Sequence, residues 1–412
     1  MTSQTVTLQG HIIDSLILAK VLDTIVMLGG TFSLSDVVIG TKREDSSHAT
    51  IRIEAPSTDL LQDILTAIQP HGAVAEAEQD CTVVSAPADG ILPEDFYASS
   101  HLATQIRWEG KWLDVLQPEM DLAILLKTSP LSATMVPMGA VKKGELIVTG
   151  RKGIRVFPLE RPKERDVFGF MEAQVSSERP HRHILADIAK RMKAIHQNRT
   201  GSNSPEKVLF AGGPAIVHAG GREALAWIID QGYIHVLFCG NALAAHDMEA
   251  SLYGTSLGYN LGIGRSVPHG HEHHLRTINR IRAIGSIQKA VDSGTIKDGI
   301  MAACVRQRIS MVLAGTIRDD GPLPGVITDA IEAQQAMRAA LPGVELALLV
   351  ASTLHAVATG NLLPASTPTV CVDINPAVPT KLSDRGSFQA VGLVMDSSSF
   401  LRELARELGW KG

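Results

Sequence analysis

Val344-Glu-Leu-Ala-Leu-Leu-Val350 and Thr369-Val-Cys-Val-Asp373 are two short apolar segments that decide the fold of the second half of the chain. Such segments are typical of strands buried on both faces of a parallel sheet. The first precedes Ala351-Ser-Thr-Leu-His355, whose small polar residues can start a helix, and the second ends in an acid. Amide groups at a helix start bind a pyrophosphate, and a carboxylate at the next strand end accepts both hydroxyls of an adenosine ribose. This combination favours an NAD site, although G-x-G-x-x-G is absent and Asp373 could instead cap the following segment.

The alternation of strand, glycine-bearing turn and helix continues through residues 181–412. Further buried strands are predicted at 208–211, 234–239, 311–314 and 390–395. Helices are predicted at 222–230, 243–253, 275–293, 326–341, 378–384 and 400–408. The pattern indicates an α/β fold with a doubly wound, Rossmann-like parallel sheet. In such sheets the ligand lies beyond the carboxyl ends of the strands.

Two smaller regions are predicted in front of this sheet. Residues 1–86 have the order βαββαβ of a ferredoxin-like unit, with its last strand at 81–85 and its second helix starting at Ser57 or Thr58. Residues 87–180 are rich in proline and glycine between short β-prone runs, which indicates a β-rich connecting module. A helix at 183–196 and a polar, turn-rich linker at 198–205 are expected next. Ferredoxin-like units often pair with their own copies, so we expect a homo-oligomer.

Composition excludes several function classes. The chain has 412 residues, 45% hydrophobic and 20% charged, which is ordinary for globular proteins of two or three domains. A net charge of -5 and an aromatic content of 4% argue against nucleic-acid binding. Four separated cysteines without C-x-x-C predict reduced, space-filling thiols. With no signal peptide and no bilayer-spanning run visible, we expect a cytoplasmic protein without a membrane partner.

Polar residues follow the predicted strand near position 239. Gly240-Asn241-Ala242 could meet a nicotinamide carboxamide or a ribose, because the asparagine amide both donates and accepts; equally, Asn241 could cap the next helix. His246 and Asp247 lie in the first turns of that helix. They could serve as acid and base, or they could face solvent.

A denser charge cluster, Arg318-Asp319-Asp320, follows the strand at 311–314. An arginine can hold an amino-acid carboxylate in a bidentate pair, and an aspartate can hold an ammonium or move its proton. A structural ion pair in a tight turn is the alternative. The histidines at 269–274 lack the spacing of zinc proteases and have no partnering cysteines, so no metal is expected.

With these residues in view, the chain resembles the NAD-dependent ornithine cyclodeaminases that carry a LOR/SDH conserved domain at the front. The resemblance covers essentially the whole chain. It is carried by Gly212-Gly-Pro-Ala-Ile-Val-His218, Gly240-Asn-Ala-Leu-Ala-Ala-His-Asp247, Gly315-Thr-Ile-Arg-Asp-Asp-Gly-Pro-Leu-Pro324, Ser352-Thr-Leu-His355 and Val372-Asp-Ile-Asn-Pro-Ala-Val378. The longer fused members have an arginine dihydrolase domain in front. No such domain is visible in this sequence, so arginine hydrolysis is not expected.

The resemblance implies a redox-neutral deamination of L-ornithine to L-proline and ammonia, with NAD as a recycled hydride carrier. It places the NAD contacts on Asn241, Ala242, Asp320, Ser352, Thr353, Leu354, His355, Asp373, Asp396 and Ser397. For catalysis we expect Arg318 to hold the substrate carboxylate, and Asp247, His246 or Asp319 to transfer protons. A net NAD-dependent oxidoreductase of the saccharopine or opine type, or a non-catalytic NAD-binding regulator, are the alternatives.

Overall fold

The computed structural model describes residues 2–10, 12–13, 16–40, 45–75, 79–157, 181–202, 204–260, 262, 265, 267, 270–319, 321–384 and 390–412. The chain forms two compact units, one of residues 1–166 with 363–366 and the other of residues 167–362 with 367–412. The division into three domains at 86 and 180 stays a prediction. All four cysteines are buried and unpaired. In the described part of the chain, no helix has the length and apolar character needed to span a bilayer.

The first unit begins with a four-stranded antiparallel sheet covered by two helices. The strands are β1 (Thr2–Gly10), β2 (Thr31–Val38), β3 (Ser47–Ala55) and β4 (Val74–Ala75), and the helices are α1 (Ile17–Met27) and α2 (Thr58–Ile68). The sheet order β2-β3-β1-β4 is that of a ferredoxin-like unit, which confirms the predicted fold. Ser57 caps α2 by accepting a hydrogen bond from the amide of Leu60 at 3.2 Å.

One predicted strand of this unit was wrong. The segment at 81–85 was expected to complete the ferredoxin-like sheet, but β4 fills that place with only two residues. The later segment, β5 (Thr82–Ser85), pairs instead with a strand of the next sheet. A two-residue strand has too little alternation to be visible in a sequence pattern.

The rest of the first unit is the predicted β-rich module. Its seven-stranded sheet has the order β11-β6-β7-β9-β8-β10-β5. The remaining strands are β6 (Ala103–Trp108), β7 (Lys111–Leu116), β8 (Ala123–Thr128), β9 (Leu131–Val136), β10 (Leu146–Thr149) and β11 (Ile154–Phe157).

The second unit is the doubly wound α/β domain. Its helices are α3 (His181–Ser202), α4 (Ala215–His218), α5 (Arg222–Asp230), α6 (Asn241–Tyr253), α7 (His273–Ile284), α8 (Ile287–Asp292), α9 (Ile300–Gln307), α10 (Ala330–Ala340), α11 (Thr353–Leu362), α12 (Ala377–Asp384) and α13 (Ser397–Leu408). Its strands are β12 (Lys207–Gly212), β13 (Val236–Gly240), β14 (Thr255–Ser256), β15 (Tyr259–Asn260), β16 (Ser310–Ala314), β17 (Val326–Ile327), β18 (Val344–Val350), β19 (Thr369–Asp373) and β20 (Ala390–Val394). β14 and β15 form a separate hairpin.

The seven other strands of this unit form one parallel sheet, in the order β17-β16-β13-β12-β18-β19-β20. Without the short edge strand β17, this is the 3-2-1-4-5-6 order of dinucleotide-binding domains. The predicted Rossmann-like fold is therefore confirmed. β12 and β18 are neighbours at the centre of the sheet, where the strand order reverses, and ligands bind in the crevice beyond that point.

Helix boundaries differ from the expectation in three places. α3 continues to Ser202, through most of the segment predicted as a linker. The helix expected at 275–293 is interrupted by Gly285, which has a φ of 99° and ends α7 before Ser286 caps α8. The helix expected at 326–341 begins only at Ala330, where Asp329 caps α10, because residues 326–327 form the edge strand.

Candidate functional site

The crevice at the centre of the sheet is closed by two turns that touch through their backbones. The amide of Gly213, after β12, donates to the carbonyl of Val350 at 3.0 Å. A Cβ atom on Gly213 would overlap the carbonyl oxygen of Ala351, so only glycine fits there. Ala351 itself has a φ of 53° and turns the chain from β18 into α11.

The turn at 351–355 starts α11 at the mouth of the crevice. Ser352 caps the helix, because its Oγ accepts from the amide of His355 at 3.3 Å. Thr353 and Leu354 are exposed, and their amides belong to the first helical turn, which has no intrahelical acceptor. Within the described parts of the chain these amides have no acceptor, so the predicted pyrophosphate position offers donors and a favourable helix dipole.

His355 lies between the ends of β13 and β18. A Cβ atom built on Gly240, at the end of β13, would be 3.1 Å from its Cε1 carbon. Its Nδ1 is 3.3 Å from Oγ of Ser352. Burial lowers the pKa of His355, and the nearby Asp319 carboxylate opposes this shift only in part. A neutral imidazole can both donate and accept a hydrogen bond, which suits contact with a polar ligand.

Asp373 ends β19 and is half-buried. Its Oδ1 accepts from the amide of Asn375 at 2.8 Å, so the capping role considered for this residue does occur. In the described residues its second oxygen has no donor, and this leaves room for ribose hydroxyls. At the end of the next strand, Oδ1 of Asp396 caps α13 through the amide of Ser399 at 2.8 Å, and Ser397 is buried in the first turn.

Asn241 has a local partner for each end of its amide. Its Oδ1 accepts from the amide of Leu323 at 2.9 Å, and its Nδ2 donates to the carbonyl of Gly321 at 3.4 Å. The side chain thus holds the loop after β16 against the start of α6. Ala242 follows it and is half-buried. Cofactor contacts by these two residues stay predictions.

In the charge cluster after β16, Arg318 and Asp319 have different surroundings. Asp319 accepts from the amide of Thr316 at 2.8 Å and from its hydroxyl at 3.2 Å, which closes a tight turn. Arg318 is exposed, and its guanidinium has no ion-pair partner within the described segments. Asp320 lies outside the described residues. The cluster therefore offers one cation for an anionic ligand and one carboxylate that is already held.

Asp247 is completely buried on α6, away from solvent. It pairs with Nε of Arg222 at 2.8 Å and accepts from the amides of Ile300 and Met301, both at 2.8 Å. Burial raises the pKa of the Asp247 carboxyl, and Arg222 and the two amides oppose that shift only in part. These contacts fix the start of α9 on α6. Proton transfer by Asp247 stays a prediction.

His246 is also buried on α6, and its Nδ1 lies 2.9 Å from Oε2 of Glu249. The two rings of His218 and His246 are 4.8 Å apart. No role was predicted from the sequence for Glu249 or His218, although the i, i+3 spacing of His246 and Glu249 places both on one helix face.

A further feature was missed at the strand ends. Three large aliphatic side chains stand in the turns after β16, β18 and β19 with exposed fractions of 107%, 64% and 73%: Ile317, Leu354 and Ile374. Apolar side chains clustered around polar groups are typical of pockets for planar ligands. No arrangement of three or more His, Cys, Asp or Glu side chains suited to a metal occurs among the described residues.

Comparison with known proteins gives three matching family models along the chain. The LOR/SDH bifunctional enzyme conserved region matches residues 3–102. The first region of the arginine dihydrolase ArgZ-like C-terminal part matches residues 103–185, and the Rossmann fold of the same part matches residues 186–404.

Individual relatives agree with these models. Ornithine cyclodeaminase of Methanopyrus kandleri is 46% identical over 406 residues, which are 98% of this chain and 97% of that protein. The crystal structure of ArgZ, an arginine dihydrolase from the ornithine–ammonia cycle in cyanobacteria, matches with 34% sequence identity and a TM-score of 0.84. The match covers 99% of this chain and 58% of the ArgZ chain. A ternary complex of AgrE with ornithine and NAD+ is 39% identical with a TM-score of 0.53, over 99% of this chain and 57% of that one.

Proposed function

The chain belongs to the ornithine cyclodeaminase family that carries a LOR/SDH region, and we propose that it converts L-ornithine to L-proline and ammonia with NAD as a recycled hydride carrier. The observation that carries the proposal is the pairing of a free helix start at 351–355 with Asp373 at the end of the adjacent strand. The ornithine and NAD+ bound to the related AgrE support the same pair of ligands.

The residues at the strand ends fit NAD. The second oxygen of Asp373 would accept the adenosine ribose hydroxyls, and the first turn of α11 would face the pyrophosphate. Asp396 and Ser397 flank the adenosine side, while Asn241 and Ala242 belong to the opposite side of the crevice. Asp320 stays a predicted contact from the resemblance. Gly213 and Gly240 keep the cradle open, because a Cβ on either would meet the neighbouring turn.

The exposed aliphatic side chains support the same placement. Ile374 adjoins Asp373 in sequence and would cover one face of the adenine ring. Leu354, in the first turn of α11, and Ile317, after β16, are also exposed and would cover other parts of the dinucleotide. Burying such side chains against ring faces stabilises a complex by roughly 25 cal/mol per Å². It also keeps water away from an imine, which would otherwise hydrolyse before it is reduced.

Bound NAD would supply the acceptor for the hydride from Cα of ornithine and return the hydride to the cyclic imine. The protein's own groups have other tasks. Arg318 would hold the substrate carboxylate, since its exposed guanidinium suits a bidentate pair. His355, neutral and central, would position polar groups at the reacting carbon, and Asp319 would hold an ammonium through its carboxylate.

The test uses ornithine deuterated at Cα together with a trace amount of NAD. Recycling predicts proline and ammonia in equal amounts, no net change in nicotinamide absorbance, and deuterium retained at Cα of proline. A net oxidoreductase would accumulate or consume NADH, and a non-catalytic regulator would bind NAD without forming proline. Either result would refute the proposal. Lysine and 2,4-diaminobutyrate, assayed in parallel, define the chain length that the site accepts.

A further inference from the structure

A buried polar group of side chains lies on α6 beside the proposed site, and we refer to it as the histidine cluster. It consists of His218, His246, Glu249, Thr255 and Ser256. His218 ends α4, and His246 and Glu249 lie on α6. Thr255 and Ser256 form β14. The proposed function leaves this cluster without a role, although buried polar networks are costly unless every member is satisfied.

Glu249 is fully buried and accepts four hydrogen bonds. The donors are Nδ1 of His246 at 2.9 Å, Oγ1 of Thr255 at 2.9 Å, and the amides of Leu257 and Gly258, both at 3.3 Å. Burial opposes its ionisation, but the bonds from His246, Thr255 and Gly258 outweigh burial and hold the pKa of the Glu249 carboxyl below its usual range. Glu249 is therefore a buried anion with an imidazole as one of its partners.

The network fixes the tautomer of His246. An ionised carboxylate only accepts, so Nδ1 of His246 must carry the proton, and Nε2 is left with a free lone pair. This is the arrangement of a general base that is oriented by a carboxylate. The groups that face the ring are Glu249 on α6, His218 on α4 at 4.8 Å, and His274 on α7 at 5.9 Å between centroids.

His218 stays neutral next to it. Burial, followed by the proximity of His246, lowers the pKa of His218 to about 4. Its Nδ1 is 2.6 Å from Oγ of Ser256, which anchors the ring. Because His218 does not take up a proton at neutral pH, it sets no like charge against an imidazolium at His246.

The cluster lies close to the strand ends of the nicotinamide half. α6 starts directly after β13, and α4 starts after the turn that follows β12. His246 is five residues into α6, about 8 Å along the helix at 1.5 Å per residue. If Asp373 holds the adenosine in the other half of the sheet, as proposed above, the substrate amines would lie on the side of the cluster.

We propose that Nε2 of His246 takes a proton from a substrate ammonium group and returns it to the departing ammonia, with Glu249 as the positioning residue. The inference rests on the proposed function. In the first step an N–H bond of the ammonium breaks, its electron pair stays on nitrogen, and the proton binds Nε2. The α-amino group becomes neutral, as loss of the Cα hydride requires. The δ-ammonium gives its own proton to solvent before it attacks the imine.

The second step reverses the proton movement. After ring closure, carbon 2 bears both the ring nitrogen and the original amino group. The ring nitrogen first gives its extra proton to solvent. The proton then leaves Nε2 for the amino group, the C–N bond breaks with its electron pair on the departing nitrogen, and the ring nitrogen forms the C=N bond. His246 ends in its starting state, and the two protons given to solvent are taken up again by the proline amine and the released ammonia, so the relay needs no co-reactant beyond the proposed NAD.

The decisive variant is Glu249→Gln. The glutamine oxygen can still accept from Thr255 and the amide of Gly258, whose bonds go to Oε1. Its NH2 group in the place of Oε2 faces Nδ1, forces the proton of His246 onto Nε2 and removes the base, at the cost of the bond from the amide of Leu257. We expect kcat to fall about 100-fold or more, with little change in NAD affinity. The acidic limb of the kcat–pH profile, which reports protonation of that base, should be lost in the variant. His246→Gln should give a similar loss of kcat.

Two comparisons separate this role from simple anchoring of β14. Thr255→Val loosens the anchor but keeps the anion and the imidazole, so its melting temperature should fall while the acidic limb stays in place. Glu332→Gln, an exposed carboxylate on α10, is the matched control for the charge change. The relay is refuted if Glu249→Gln and His246→Gln fold and bind NAD, keep kcat within threefold of the wild-type value, and retain the acidic limb of the wild-type kcat–pH profile. If the wild-type protein makes no proline, the proposed function fails first.

Discussion

The imidazole of His355, in the turn after β18, packs over the backbone of Gly240 at the end of β13. The ends of β13 and β18 are thus in contact through the ring of His355 and the backbone of Gly240. No side chain larger than hydrogen fits at position 240 without moving the ring, since a Cβ atom would be 3.1 Å from Cε1.

We therefore expect Gly240→Ala to displace His355 by a few tenths of an ångström while the fold is retained. Small misplacements of site groups are costly, and kcat/KM should fall about 10-fold. Steady-state kinetics together with a thermal melt measure both quantities. Gly139→Ala is the control, because a Cβ there meets no atom within 4 Å. Unchanged kinetics in Gly240→Ala would show that His355 does not contribute to the site.

Asp373→Asn tests the ribose contact. Loss of the charged acceptor should weaken NAD binding about 10- to 100-fold, the range for hydrogen bonds to charged groups. The carboxylate also repels a 2′-phosphate, so the preference for NAD over NADP should narrow in the variant. Calorimetric titration with each dinucleotide measures both effects. The control variant Asp292→Asn, on α8, should bind NAD with wild-type affinity. If Asp373→Asn also binds NAD with wild-type affinity, the adenosine ribose is not bound at this strand end.

Asp247→Ala tests the anchoring role of the buried carboxylate. The substitution leaves Arg222 without its buried partner and two amides of α9 without an acceptor, so the free energy of unfolding should fall by about 3–5 kcal/mol. Asp298 contacts the same guanidinium but is 65% exposed, and Asp298→Ala should cost about 1 kcal/mol or less. Chemical denaturation of the two variants measures the difference. Equal losses would contradict the assignment.

His235 links stability to pH. Burial, with Arg199 as the next cause, lowers the pKa of His235 to about 4 in the folded protein, and Nδ1 accepts from the amide of Val208 at 3.0 Å. Above the unfolded value of 6.5 both states are neutral, and below it the unfolded chain takes up the proton first, so stability falls with falling pH. Between pH 7 and 5, the wild-type protein should lose on the order of 1 kcal/mol more than His235→Gln, after allowance for solvent screening. Urea unfolding at both pH values measures this, and parallel losses would exclude His235 as the cause.

The fold was predictable because its signals are local. The strand at 344–350 and the strand that ends in Asp373 are continuous apolar segments, and their alternation with helices permits few topologies. The interruption at Gly285 and the two-residue strand β4 were not predicted, since each depends on packing that a short window of sequence does not contain.

The strand ends at which the candidate site is proposed could be predicted from the sequence, whereas the contacts of the side chains there could not. Asp373 and His355 lie at strand ends, where the topology requires polar groups. Asn241 and Asp247 were chosen by the same rule, yet their side chains face loops and helices that are distant in sequence. Their partners, such as Leu323, arise from tertiary packing alone, and for that reason the engagement of both side chains could not be foreseen.

The parallel sheet can be followed outward from its centre in two directions, through β13 and β16 or through β19 and β20. Each direction is a unit of parallel strands joined through helices. When the acid that binds the adenosine ribose lies in the second unit along the chain, as proposed for Asp373, the dinucleotide lies across the sheet in the opposite direction to the commoner arrangement. A search that seeks a glycine-rich fingerprint after the first strand alone would therefore overlook proteins built in this way, whereas a search of both units would find them.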